Sequence, residues 1–264
     1  MWQVFWVNFR GIFRYRVFQG IFATAAVFLI LPTISTMSMR QVTELSMTLS
    51  LSLYSLVLLL LTIFLGGTSL WKDVDRRYAV SVASLPVSRG HYLLGKFFSI
   101  ALFVFLAAAV LGGFTVLVVY VMDGFYPPLS RPLVWGNLFW ALLFDCLKYV
   151  LLISISFLLS TVSTSFFLPL FGTIAVFLAG CSTQPVYDFI FTATGQKLPL
   201  IAQQAAKVLY YILPNFSAFD LKLYAIYGLE VSLPGLAMTF SYFVAYLVVV
   251  LSAAVLLFSR RELQ

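Results

Sequence analysis

Long runs of apolar residues, separated by short polar stretches, dominate the chain. Six of these runs approach or exceed the ~20 residues that a helix needs to cross a bilayer. They are Val17–Met37, Ser46–Leu70, Phe97–Met122, Val134–Leu159, Phe166–Cys181 and Leu236–Phe258. The fifth run is short unless its helix continues through Pro185 towards Phe191. The pattern predicts an all-α membrane protein with six transmembrane helices.

The N-terminal stretch, residues 1–16, has a period of its own. Aromatic side chains share one face of a helix at Trp2, Phe5, Trp6, Phe9 and Phe13. The opposite face carries Gln3, Arg10 and Arg14, so the segment is amphipathic and is predicted to be an interfacial helix. It is either a simple anchor on the membrane or an elbow helix that packs beside the first span and moves with it. No small-residue cleavage site follows, so the segment is not interpreted as a signal peptide.

The segment between the fifth and sixth runs, residues 182–235, is too apolar for a freely solvated loop. Within it, Pro199 suits a helix start and Pro214 a helix stop. The apolar residues Ile201, Ala205, Val208 and Ile212 share one face between these prolines. A second apolar piece, Phe219–Tyr227, follows. We expect short membrane-associated helices here, with re-entrant structure if protein covers the backbone.

The composition agrees with a membrane environment. Hydrophobic residues make up 62% of the chain and charged residues 9%, with a mean hydropathy of +1.03, whereas soluble domains carry roughly 25% charged residues. The formal charge of +7 does not indicate nucleic acid, because the basic residues lie at the ends of apolar runs. Cys146 and Cys181 lack metal-site spacing and are read as packing residues.

Basic residues near the ends of the runs predict the orientation. One side collects Arg10, Arg14, Arg16, Lys72, Arg76, Arg77, Arg89, Lys96, Arg260 and Arg261. The other side has only Arg40, Arg131, Lys197, Lys207 and Lys222. Both termini are therefore expected to be cytosolic. Without an internal repeat or a low-complexity linker, residues 1–264 are expected to form a single domain.

One charged segment, residues 71–96, interrupts the apolar pattern on the cytosolic side. Pro86 disfavours a helix at Leu85, and Ser88 is a suitable N-cap for a helix that starts at Arg89 and merges with the third span. The second helix is expected to continue into the cytosol before this bend. The result is a helix, a sharp turn and a helix, whose apolar tip and flanking charges suit a groove on another protein.

This segment resembles a known family. The sequence SLPVSRGHYLLGKFF, Ser84–Phe98, is similar to the signature of ABC-2 type permeases, the membrane subunits of ABC transporters. YYILPNFSAFD at Tyr210–Asp220 and the closing FSRREL also resemble that family. Many relatives carry a glutamate-rich stretch and a Gly-Thr before the turn, whereas this chain has two aspartates, two arginines and a tyrosine between Asp73 and Tyr78.

The resemblance implies a coupling helix that docks on a separate ATPase subunit. It assigns this role to Leu85, Pro86, Val87, Ser88, Arg89, Gly90 and His91. It further implies a second permease copy, most simply in a homodimer, and ATP and Mg²⁺ bound by the partner ATPase. The expected location is the bacterial cytoplasmic membrane, and the expected direction is export.

Residues 90–96 also satisfy G-x-x-x-x-G-K, the first seven positions of a phosphate-binding loop. Phe97 replaces the Ser or Thr that would hold magnesium, and no buried strand precedes the tract. We therefore reject nucleotide binding by this chain and expect the ATPase activity in another polypeptide. The single histidine, His91, leaves no residues for a Ser-His protease or a histidine-ligated haem carrier.

Two charged residues lie near the middle of the fourth run. Asp145 and Lys148 share a helical face, so they can pair, and Tyr149 lies four positions after Asp145. Each ion alone would cost ~2.5–3.5 kcal/mol at the centre of the membrane on insertion scales. They form either a self-neutralised structural pair or part of a polar path or moving interface.

The sequence therefore predicts the permease subunit of an ABC transporter. Few charges within the spans and an apolar outer segment favour a lipid-linked or amphiphilic cargo. One alternative is a membrane platform that transmits ATPase motion to an extracytoplasmic protein through residues 182–235. Another is an ATP-independent carrier or channel, which the absence of an ATPase partner would favour.

Overall fold

The computed structural model describes residues 2–14, 20, 23, 27–28, 30–37, 41–67, 69, 88–126, 133–192, 195–197 and 199–260. All regular elements in these ranges are helical. Five helices are long and apolar enough to cross a membrane: Val42–Gly66, Arg89–Phe125, Trp135–Val162, Phe167–Ile190 and Leu233–Arg260. They indicate a multi-pass membrane protein. Nine of the 21 residues of the predicted first span, Val17–Met37, lie outside the described ranges, and the described part includes the short helix Leu31–Ser35.

We number the α-helices in chain order. They are α1 (Trp2–Arg14), α2 (Leu31–Ser35), α3 (Val42–Leu61), α4 (Arg89–Phe125), α5 (Trp135–Val162), α6 (Phe167–Ile190), α7 (Leu200–Ile212), α8 (Lys222–Tyr227) and α9 (Leu233–Arg260). A π-helical turn, Thr62–Gly66, extends α3, and 3₁₀ turns occupy Gly195–Lys197 and Phe216–Phe219. The predicted runs two, three, four and six are therefore helices, each shifted or extended by a few residues.

The long helices alternate in direction and define two ends of the molecule. At one end, which we call the Arg89 end, Arg89 Nη1 donates to the Ser259 carbonyl oxygen at 3.2 Å. At the other, the Asn137 end, Asn137 Nδ2 donates to the carbonyl oxygens of Tyr224 at 2.9 Å and Leu229 at 2.8 Å. The turn after α8 is therefore fastened to the start of α5.

Helix α5 forms the centre of the core. In its most apolar stretch 72% of the residues are buried, compared with 22% in α6 and in α9. Its neighbours are α3, α4, α6 and α9, and side chains such as Leu151, Leu152 and Ile153 are fully buried. The exposed apolar faces of α6 and α9 suit contact with lipid, which dissolves such surfaces without penalty.

The predicted N-terminal helix is present as α1, which packs against α4. Val4 and Phe9 contact the core, whereas Trp2 is 69% exposed. Arg10 stands over the ring of Trp6, 5.9 Å from its centroid. This distribution suits a helix with aromatic rings at the membrane interface.

The fifth span does not end at Cys181; the alternative, continuation through Pro185 towards Phe191, is confirmed, because α6 extends to Ile190. Proline lacks the N–H that would bond the carbonyl oxygen of Cys181 one turn earlier. That oxygen instead accepts a hydrogen bond from Ser217 Oγ at 2.8 Å. Ser217, from a distant part of the chain, therefore replaces the missing hydrogen-bond donor. The outer segment that was predicted to begin at Ser182 begins only after the end of α6.

The predicted helix between Pro199 and Pro214 is present as α7. No residue of α7 is buried; its half-buried side chains are Gln203, Ala206 and Tyr210, and the helix packs on α6. The predicted apolar face therefore points away from the rest of the chain. The second predicted piece, Phe219–Tyr227, is divided into a 3₁₀ turn and α8, which ends at Gly228 with φ of 58°.

Candidate functional site

The start of α4 carries the described part of the predicted docking segment. Leu85, Pro86 and Val87 lie outside the described residues. The N-cap predicted at Ser88 is confirmed, because Ser88 Oγ accepts the backbone N–H of His91 at 3.4 Å and also bonds His91 Nδ1. The helix therefore begins at Arg89 as predicted.

Residues 90–96 form the first two turns of α4 rather than a loop. Lys96 is only 3% exposed, and its Nζ donates to the carbonyl oxygen of Ser69 at 2.6 Å. The ammonium group is thus directed at the α3 side of the bundle. A phosphate-binding loop instead presents free backbone N–H groups and a lysine that reaches the phosphates.

Asp145, Lys148 and Tyr149 meet in the interior of the bundle. Lys148 Nζ pairs with Asp145 Oδ1, and it lies 4.8 Å from the ring centroid of Tyr149. Asp145 Oδ2 accepts a hydrogen bond from Ser55 Oγ on α3. Both carboxylate oxygens therefore have partners, and the predicted pairing is present.

This pair lies far from either end of α5. Asp145 is ten residues after Trp135, which corresponds to about 15 Å along the helix, and 17 residues before Val162. Exposure is 2% for Asp145 and 5% for Lys148. Opposite charges with a third hydrogen-bond partner are the arrangement in which buried ions are tolerated at such depth.

The connection between α6 and α9, residues 191–232, reaches into the bundle towards this pair. The ring of Phe216 lies 5.9 Å from that of Phe177, which in turn lies 6.2 Å from Tyr149. A Cβ atom on Gly180 would lie 2.6 Å from the Pro214 carbonyl oxygen, so the absence of a side chain there permits the close approach. Gly180 is ten residues, about 15 Å, before the end of α6.

Residues 212–222 are the part of this connection that we call the re-entrant turn, and side chains cover its backbone. The hydroxyl of Tyr242 accepts the Asn215 N–H at 3.0 Å, and the hydroxyl of Tyr246 donates to the Ile212 carbonyl oxygen at 3.0 Å. Gln184 Oε1 accepts from Asn215 Nδ2 at 2.8 Å. Re-entrant backbone needs such partners because hydrocarbon offers none.

We call Ser55, Asp145, Lys148 and Tyr149 the polar cluster. It holds one acidic and one basic residue, so its formal charge is zero. Asp220 on the turn interacts electrostatically with Lys148, but its side chain is exposed and accepts the Lys222 backbone N–H at 3.2 Å.

Sequence reasoning finds three members of the polar cluster and misses Ser55, which stands in an apolar run without any distinguishing pattern. The stretch that ends at Asp220 is distinguished in the sequence only by its resemblance to the permease family. Its position depends on long-range packing against Gly180 and Phe177, which local periodicity does not show.

The described part of the chain contains no group of three or more His, Cys, Asp or Glu residues placed to hold a metal ion. Neither a protein-family model nor a curated protein sequence matches the chain. The family and function therefore depend on the resemblance noted above and on the arguments that follow.

Proposed function

We propose that this chain is the transmembrane permease subunit of an ABC transporter, working as one of a pair with two separate ATPase subunits. The observation that carries the proposal is the position of the family-like signature. Ser84–Phe98 overlaps the start of α4, where Ser88 caps the helix. The described signature residues thus stand at a helix end, as a docking segment requires.

The length of α4 supports docking outside the membrane. Its 37 residues correspond to about 55 Å, whereas a bilayer with its head groups is about 40–45 Å thick. The helix therefore extends beyond the membrane. His91 and Ser88 are exposed in the first turns, where a soluble subunit can reach them.

In this proposal the partner ATPase binds ATP and Mg²⁺ and supplies the chemical energy. Its closure displaces the docking segment, residues 85–91, and tilts α3 and α4. A path then opens between the two permease copies. The chain lies in the bacterial cytoplasmic membrane with its Arg89 end and both termini in the cytosol, which agrees with the basic residues at that end.

The proposed cargo is lipid-linked or amphiphilic. An apolar groove of about 360 Å³ lies between α4 and α5, lined by residues such as Ala109, Gly113, Phe139 and Leu143. The charges of the polar cluster are largely engaged with each other rather than arranged as rings along a pore. Both features favour a molecule with hydrocarbon chains over a small ion, and the family resemblance favours export.

A second candidate function is a platform that transmits ATPase motion to an extracytoplasmic protein. The exposed surface of α7 favours it, since Ile201 is 81% and Tyr211 75% exposed. A partner bound at that surface, with no solute transported, would support this alternative.

The proposal is tested by affinity purification of the tagged chain from its native membrane in mild detergent. We expect a stoichiometric ATPase that carries a complete phosphate-binding loop. Leu85→Asp and Arg89→Glu should remove it, whereas Lys207→Glu, a charge reversal at the opposite end, should not. Absence of an ATPase, or equal recovery with all variants, would contradict the proposal and favour a stand-alone carrier or another docking surface.

A further inference from the structure

Two basic residues near the start of α4 bind the carboxyl ends of its neighbours. Arg89 reaches the carbonyl oxygen of Ser259, one residue before the end of α9. Lys96 reaches the carbonyl oxygen of Ser69, beyond the π-helical turn that extends α3. A cation at a helix C-terminus is favourable because it meets unpaired carbonyl groups and the negative end of the helix dipole.

Close packing reinforces the contact with α9. A Cβ atom on Gly90 would lie 3.0 Å from Val255 Cγ1, closer than most Cβ contacts, so glycine permits the close approach of the two helices. The rings of Tyr92 and Phe258 are stacked, with centroids 6.5 Å apart and an interplanar angle of 22°. Tyr92 is 6% and Phe258 2% exposed. Packed interiors of this kind transmit displacement rather than absorb it.

Helix α9 leads from this contact to the re-entrant turn. In its first half, Tyr242 and Tyr246 hold the backbone of the turn through the hydrogen bonds described above. The ring of Phe243 lies 6.4 Å from that of Phe219, immediately before Asp220. One helix thus contacts both the start of α4 and the re-entrant turn.

We infer that α4 and α9 move as one unit, joined where Gly90 and Tyr92 pack on Val255 and Phe258. Motion imposed on the docking segment then passes through this α4–α9 joint and along α9 to the re-entrant turn. Residues Tyr92, Val255 and Phe258 act as positioning residues for the transport cycle. This inference rests on the proposed function, because the ATPase supplies the motion.

The test uses the complex of permease and ATPase reconstituted in lipid vesicles. A fluorescent unnatural amino acid is placed either at Met238, which is 76% exposed near the start of α9, or at Tyr120, which is 69% exposed near the end of α4. Emission is compared before and after addition of ATP with vanadate. We expect both labels to respond.

Phe258→Ala removes the ring contact at the joint. We expect it to weaken the response at Met238 about fivefold or more, at the lower end of typical coupling between sites, and to spare the response at Tyr120. Leu256→Ala, at a 60% exposed position on the same helix end, is the matched control and should spare both. A normal Met238 response in Phe258→Ala, or equal loss at both labels, would overturn the inference.

A disulfide provides a second measurement that does not weaken the joint. Since Val255 Cγ1 is bonded to Cβ, the Cβ atoms at 90 and 255 lie within about 4.5 Å, which suits a disulfide. In Gly90→Cys/Val255→Cys we expect oxidation to leave the Met238 response equal to that of the reduced protein. Loss on oxidation would show that the helices must separate and would overturn the inference.

Failure of this inference and failure of the proposed function give different labelling results. If Tyr120 responds to nucleotide and Met238 does not in the unsubstituted complex, the ATPase drives α4 but α9 does not follow, and the inference alone is overturned. If neither label responds, the proposed ATPase drive is disproved, and the inference fails with it.

Discussion

At the scale of single residues, the partners of Asp145 decide how a charge is tolerated inside the bundle. One carboxylate oxygen binds Lys148 and the other binds Ser55. A buried pair of this kind is weak evidence for stability, because the desolvation cost of two ions offsets much of their attraction. Removing one partner is different, since the remaining charge is left without compensation.

Asp145→Asn should therefore destabilise the protein by about 3–5 kcal/mol, because Lys148 becomes an unpaired buried charge. The measurement is thermal unfolding of the purified protein in detergent, with recovery of the assembled complex as a second readout. Glu230→Gln, at an exposed carboxylate, is the matched control. Normal stability and full transport in Asp145→Asn would contradict the importance of the pair.

Asp145→Leu combined with Lys148→Met separates structure from function. Replacing both ions by apolar residues of similar size should recover most of the stability lost in the single variant. A stable double variant that still transports would make the pair purely structural. A stable double variant that no longer transports would place the Asp145–Lys148 pair on a polar path or at a moving interface.

At the scale of elements, α6 shows how a proline is accommodated in a long membrane helix. Pro185 cannot bond the Cys181 carbonyl oxygen, and Ser217 from the re-entrant turn does so instead. The same hydrogen bond thus preserves α6 and attaches the turn to it. The two elements are interdependent.

Ser217→Ala should cost about 1 kcal/mol in detergent unfolding, because a part-buried carbonyl oxygen loses its partner. In a Pro185→Ala background the cost should be smaller, since the restored backbone N–H can serve that oxygen. Ser182→Ala, which removes only a bond within α6, is the control. If Ser217→Ala cost the same stability in both backgrounds, the loss of a partner for the Cys181 carbonyl oxygen would not be its cause.

Gly180→Ala should displace the re-entrant turn from α6. The added Cβ atom would lie 2.6 Å from both the Pro214 carbonyl oxygen and a Phe216 ring carbon, and overpacking of this kind typically costs 1–3 kcal/mol. Proteolysis of residues 191–232 in detergent should become faster. Gly113→Ala, where nothing lies within 4 Å, should leave the rate unchanged, and an unchanged rate for Gly180→Ala would contradict the close packing.

At the scale of the whole molecule, a buried α5 is surrounded by helices that turn apolar side chains outwards. The Arg89 end holds the joint between α4 and α9, and the Asn137 end holds the turn after α8. The proposed function requires the first end to face the ATPase and the second to face away.

Labelling with a membrane-impermeant maleimide tests that orientation. In a Cys146→Ala/Cys181→Ala background expressed without the ATPase, which would cover the docking segment, His91→Cys should react only in inside-out vesicles and Glu230→Cys only in intact cells. Both positions are exposed, so each should react readily from its own side. The reverse pattern would overturn the orientation derived from the basic residues and, with it, docking at the Arg89 end.

The sequence predicts those features of the fold that have local causes. Apolar length predicts α3, α4, α5 and α9, and the capping preference of Ser88 predicts where α4 begins. Long-range compensation is not visible in this way: the continuation of α6 past Pro185 depends on Ser217, 36 positions away. For the same reason Asp145 and Lys148 could be paired from their spacing, whereas Ser55, 90 positions away from Asp145, could not be placed beside them.

The re-entrant turn also has a consequence for biosynthesis. Helix α7 has 13 residues, about 20 Å of helix, and is too short to be inserted as a span by its own hydrophobicity. Phe219 is covered by Tyr242 and Phe243, which the ribosome adds only after the turn has been made. The re-entrant turn can therefore reach its final packing only after α9 has entered the membrane. A chain whose synthesis stops before α9 exposes Phe219, and cellular quality control can recognise it as unfinished.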